Sequence, residues 1–146
     1  MYNGVYCLIL ENDPCSIAVG ARGLITFPGG WHVYCGSAQG PGGLSRVSRH
    51  IRVTREGSAR PRWHIDHLLI HPGFHLRSVV CAPAMTREAE CRLAGIVTVY
   101  PVPGFGCSDC SCRSHLGYFE SNPENDVVTA FHSVGLTATI KTINTS

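Results

Sequence analysis

Two tyrosines followed by a run of arginines are the residues of this chain whose types and order could do chemistry together. Tyr6 closes the tripeptide Gly4-Val5-Tyr6 and Tyr34 opens Tyr34-Cys35-Gly36, each within a strand-like run near the N-terminus. A basic stretch follows, Arg46-Val47-Ser48-Arg49-His50-Ile51-Arg52. Phenol hydroxyls on neighbouring strands beside an arginine-bearing helix can form a site that cuts a phosphodiester without a serine or cysteine nucleophile. Each motif alone has a plainer reading. A strand tyrosine usually packs, and helix arginines usually face solvent.

The charge distribution favours phosphate. Arg46, Arg49, Arg52, Arg55, Arg60 and Arg62 stand against one acid in that span, Glu56, although the whole chain carries only +2. Each phosphate contact made by such a segment releases condensed counterions. With 146 residues, 44% apolar and 15% charged, the composition is that of one folded domain able to bury a core. No apolar stretch approaches the roughly 20 residues that cross a bilayer, and the N-terminus lacks a secretory pattern. The expectation is therefore a cytoplasmic protein with no membrane partner, whose eight cysteines stay reduced.

The elements that must position these residues follow from pattern. Residues 3–10 and 31–37 read as strands, with short strands at 16–19 and 24–27 between them. A helical period begins near Leu44, with Val47 and Ile51 on one side and Arg46, Arg49 and His50 on the adjoining face. Residues 63–70 form a short helix, 75–82 a strand, 86–97 a helix and 116–119 a short strand. The fold class expected is α+β, a central antiparallel or mixed sheet flanked by helices. The domain spans 1–119, and 120–146 reads as a C-terminal extension, loosely packed or disordered.

The order of these motifs resembles the GIY-YIG nuclease superfamily. The phrases Tyr34-Cys35-Gly36-Ser37-Ala38, Arg46-Val47-Ser48-Arg49-His50, Trp63-His64-Ile65-Asp66 and Pro103-Gly104-Phe105-Gly106 resemble more narrowly an archaeal and bacterial branch sometimes fused to endonuclease III-like glycosylases. The resemblance implies that Tyr6 and Tyr34 are the two motif tyrosines, Arg46 the helix arginine with His50 one turn later, and Glu90 the ligand of one divalent metal. Glu88 competes with Glu90, and Arg49 with Arg46. It implies a metal-dependent endonuclease acting on DNA, probing damaged, abasic or branched substrates in repair.

In that scheme Tyr34 acts as base or relay if the local field lowers its pKa. Arg46 binds the non-bridging oxygens, and Mg²⁺ or Mn²⁺ on Glu90 is the Lewis acid for the leaving oxygen. Tyr6 and His50 orient water and phosphate, while Arg49, Arg52, His64 and Arg113 contact DNA. The sequence also departs from the superfamily. Cys35 replaces isoleucine, Ser37 stands where excision-repair members carry lysine, the Tyr34–Arg46 spacing is two residues longer, and Val102 falls near a usual asparagine. The missing lysine and asparagine favour the alternative, a nucleic-acid-binding module that no longer cuts.

Two further clusters stay open. His64 and His67 lie i,i+3 on the short helix, with Asp66 orienting a histidine or capping a neighbouring element. Cys107, Cys110, Cys112 and His115 are four soft ligands within nine residues, a set suited to a structural Zn²⁺, though packing cysteines or active-site groups fit them as well.

Overall fold

The computed structural model describes residues 4–37, 45–57, 60–84, 88–106 and 114–143. Strand β1 (Gly4–Asn12) is its axis, with residues 4–10 all buried. An apolar run covered on both faces is what a middle strand needs. Strands β4 (Gly30–Ser37) and β5 (Phe74–Pro83) flank it. Outside them lie β6 (Leu116–Phe119) and β7 (Thr139–Thr142), giving the order β6-β4-β1-β5-β7. Every pairing is antiparallel. The fold is thus α+β, and of the two sheet types open to the sequence the antiparallel one is realised. A separate hairpin joins β2 (Cys15–Ala18) to β3 (Leu24–Phe27).

The period of two along β1 sorts its side chains into two cores. Tyr6, Leu8 and Leu10 pack with Ile51 of α1 (Ser45–Glu56) and Ile65, Leu68 and Leu69 of α2 (His64–Leu69). Val5, Cys7 and Ile9 pack with Leu93, Ala94 and Val97 of α3 (Glu88–Val97) and Val127, Ala130 and Phe131 of α4 (Glu124–Ser133). The sheet is therefore sandwiched between two helix pairs.

The expectation for residues 120–146 needs correcting. Their described part, 120–143, is no loose extension. Helix α4 buries Val127 and Phe131 completely, and β7 extends the sheet beside β5, with Ser78 opposite Thr142 and Cys81 opposite Thr139. Burial at an i, i+3, i+4 spacing anchors a helix even among polar neighbours. Among the described residues no helix is long and apolar enough to cross a membrane.

Candidate active site

Strand register brings the two tyrosines together. Tyr6 faces Gly36 and Leu8 faces Tyr34 across the β1–β4 ladder, so both phenols leave the same side of the sheet one diagonal step apart. A Cβ on Gly36 would collide with Cζ, Oη and Cε2 of Tyr6. The glycine of the second tripeptide thus lets the Tyr6 ring lie across β4. The Tyr6 hydroxyl then meets Nε2 of His50 on α1 at 2.8 Å. One turn earlier, Arg46 donates from Nη1 to the Ser37 carbonyl at 2.9 Å.

The neighbouring polar group holds α1 to α2. Asp66 is fully buried, and its carboxylate accepts both Nη1 and Nη2 of Arg49 at 3.0 Å, with the amides of Arg62 and Trp63 at 2.8 and 3.2 Å. It thereby caps its own helix and fixes Arg49. Arg49 lies 4.5 Å from the centre of the Trp63 ring, with Arg46 at 5.5 Å and Arg62 at 5.6 Å, cation–π distances. Trp63 itself remains 36% exposed.

Glu90 arrives from the opposite helix layer. It is buried in the first turn of α3, and its Oε2 lies 2.9 Å from Nδ1 of His115. The same nitrogen is 3.1 Å from the Cys35 carbonyl. The His115 backbone is bonded on both sides, its oxygen accepting the Cys35 amide at 2.8 Å and its amide donating to Phe105 at 2.9 Å. β6 begins at Leu116 opposite Tyr34, so His115 sits at the margin of β4 and ties the α3 carboxylate to it. Glu88 is exposed instead. Tyr6, Tyr34, Arg46, His50 and Glu90 are thus all gathered around residues 34–37 of β4.

Electrostatics sets what these groups can do. Burial pushes the Tyr6 phenol well above its ordinary pKa, Arg46 opposing and the carboxylates of Glu90 and Asp66 adding to the rise. Tyr34 is pushed up likewise, by burial first and then by Tyr6 and Glu90. The condition for Tyr34 to serve as a phenolate base, a lowered pKa, is therefore not met; the surrounding field acts the other way. His50 is lowered from 6.5 to about 4, by burial against the upward pull of Asp66, and is a neutral imidazole at neutral pH. For Asp66, burial works upward, but the Arg49 fork and the Arg62 and Trp63 amides bring the net shift below the ordinary value.

Other expected site residues lie elsewhere. Arg49 is engaged by Asp66, and Arg52 is exposed further along α1. His64 accepts the Gly106 amide at Nδ1, 3.0 Å away, and its ring packs on Phe105. With Arg22 donating to the Pro103 carbonyl, it pins the 101–106 loop beside Tyr34. Cys107, Cys110, Cys112 and Arg113 lie outside the described residues. Their expected companion His115 faces Glu90 and Cys35. Among the described residues no three His, Cys, Asp or Glu side chains group around a metal position.

Sequence reasoning missed the His115–Glu90 contact, which joins residues on different elements. It also missed His32, buried among Phe27, Phe74 and Tyr118 with Nδ1 at 2.8 Å from the Asn12 side chain. An apolar alternation interrupted by histidine was the available signal.

The fold and site define a small antiparallel α+β domain carrying a tyrosine–arginine–carboxylate cluster at the end of its second long strand. Over residues 5–136 the chain matches the model of a family described as "Domain of unknown function DUF123", and it belongs to that family. No curated protein and no solved structure matches it.

Proposed function

We propose that this chain is a metal-dependent endonuclease of the GIY-YIG superfamily that hydrolyses phosphodiester bonds in DNA. One observation carries the reading: groups from opposite helix layers, Arg46 and His50 on α1 and Glu90 on α3, meet two strand tyrosines around one short segment of β4. Packing alone gives no reason to gather a guanidinium, a carboxylate, an imidazole and two phenols at one strand end. Burying such groups is costly unless they are paired. The resemblance to glycosylase-fused relatives suggests damaged, abasic or branched DNA, and hence repair. The protein works in the cytoplasm, where Cys7 and Cys35, their sulfurs 3.1 Å apart as thiols, stay reduced.

The donor set fits Mg²⁺ or Mn²⁺ bound through one carboxylate. Glu90 presents a carboxylate oriented by the His115 ring, the kind of outer contact that fixes ligating side chains, and a cation that keeps most of its waters needs no more. When bound, it supplies a Lewis acid beside the leaving oxygen. Arg46 spends one N–H on the Ser37 carbonyl and keeps the rest of its fork for the non-bridging oxygens, where charge accumulates. Tyr6 and His50 form a neutral relay. As water attacks phosphorus, its proton passes to the Tyr6 oxygen while the phenol proton moves to His50 Nε2. The bond to the 3′ oxygen breaks, that oxygen is protonated from solvent, and His50, a weak base with a pKa of about 4, gives its proton back to solvent. Tyr34, held neutral, donates a hydrogen bond and does not act as base. Trp63 and its arginines border the same site and suit a nucleic-acid ligand.

The alternative, a nucleic-acid-binding module of the same fold, draws on the upward pKa shifts of both tyrosines and on Ser37 in the lysine position. Plasmid, abasic and branched DNA incubated with Mg²⁺, Mn²⁺ or EDTA separate the two. The nuclease reading expects cation-dependent cuts that Glu90→Ala and Arg46→Ala abolish while circular dichroism stays native. Salt-sensitive binding with no cut on any substrate would transfer the assignment to the module.

A further inference from the structure

Helix α1 places an arginine at every third position, and the four do not share one side. At 100° per residue, the nine residues from Arg46 to Arg55 amount to two and a half turns, so these two arginines leave opposite flanks. Arg46 stands on the flank that meets Tyr6 and Ser37. On the other flank, Arg52 and Arg55 line an open groove of about 380 Å³ with Ser48, Ile51, Glu56 and Lys141 of β7. Lys141 is the only lysine in the chain. Three cations thus face one carboxylate, and among the described residues none of the three has an ion pair. Like charges collected in a groove repel one another, and an anion relieves this.

We infer that this groove holds phosphates of the second, uncut strand of a duplex, with α1 lying between the two backbones. The inference rests on the nuclease reading of the Arg46 flank. The dimensions agree: an α-helix with its side chains is about 10–12 Å across, and the DNA major groove is about 12 Å wide. A ridge of that width with cations on both flanks can touch both strands at once. α1 buries His50, Ile51 and Val53 against the sheet and keeps Arg52, Arg55 and Glu56 on its outward surface. β7, in the C-terminal segment, supplies the third cation.

The test compares duplex with single-stranded DNA of one sequence, using wild type and the triple variant Arg52→Gln, Arg55→Gln, Lys141→Gln. All three side chains are exposed, and the melting temperature checks that the variant folds. For duplex, the slope of log K against log salt should flatten by about 0.9 for each contact removed. Affinity for single strands should stay within twofold. Methylphosphonates on the uncut strand should erase the difference between variant and wild type. Acetylation of the unique lysine is an independent check and should reproduce part of the duplex loss. Equal losses on both DNA forms would move the groove onto the cut strand and overturn the inference, as would no loss on either. If wild type binds duplex and cuts it while the variant is unchanged, only this inference fails. If wild type binds neither form, the nuclease reading fails with it.

Discussion

The two faces of the sheet are built on different terms. The α3/α4 face is almost wholly apolar: Val5, Ile9, Val80, Leu93, Val127 and Phe131 lie against Cys7 and Cys35. The α1/α2 face buries a comparable apolar set and, beside it, Tyr6, His50, Asp66 and His32. Each of these polar groups has a specific partner: His50 for Tyr6, Arg49 for Asp66, Asn12 for His32. Among the described residues the one carboxylate buried in the opposite layer, Glu90, sits at the margin of β4, where it meets the polar cluster through His115. Stability alone is best served by the first kind of face, since buried polar groups return little net free energy. The second kind concentrates cost where chemistry would need it.

Acid should separate the faces most strongly. His32 and His50 have native pKa values lowered from 6.5 to about 4, so the unfolded chain takes up protons that the folded state refuses. Stability is full above pH 6.5 and falls as pH drops through the window toward 4, by roughly 3 kcal/mol per histidine. Urea titrations across that window, repeated on His32→Gln, should show the variant losing less stability between pH 7 and 4 than wild type does. A parallel pair of curves would mean that His32 titrates normally.

Next in size is the apolar face. Phe131→Ala should cost about 3–5 kcal/mol through lost burial and a cavity, measured by denaturant melts, with DNA cleavage per folded molecule unchanged. On the polar face, Asp66→Ala leaves the Arg49 guanidinium without its buried partner and uncaps α2. It should cost about 3 kcal/mol and, in a Trp31→Phe background, alter Trp63 fluorescence, which Phe131→Ala should leave alone. Smallest in stability is Tyr6→Phe, about 1 kcal/mol for one lost hydrogen bond, yet it should lower cleavage at least 100-fold by breaking the relay. A Tyr6→Phe protein that cuts at the wild-type rate would make Tyr6 a packing residue.

What the sequence reveals about this division depends on range. The alternation Tyr6-Leu8-Leu10 against Val5-Cys7-Ile9 announces a strand with two covered faces, and the arginine-rich period announces α1, because both patterns are local. Helix α4 left a weaker local trace, Val127, Ala130 and Phe131, diluted by Glu124, Asn125, Asp126 and Thr129. β7 left almost none: TIKT is exposed throughout, and only pairing with β5 defines it. The site shows the same limit. The resemblance carried by the motif order points to Tyr6, Tyr34, Arg46, His50 and Glu90, whereas the direction of the tyrosine pKa shifts and the His115 contact come from tertiary burial that no spacing encodes. His115 is the sharpest case, read among the zinc candidates and found against Glu90.

A double-mutant cycle of Arg46→Ala and Glu90→Gln, read as the single-turnover rate of DNA cleavage, probes whether the two helix layers serve one reacting phosphate. Each single change should slow cleavage by about 100- to 1,000-fold, and the double should lose clearly less than the product of the two. Multiplicative losses, or a wild-type rate in either single variant, would show that α1 and α3 do not act on one phosphate.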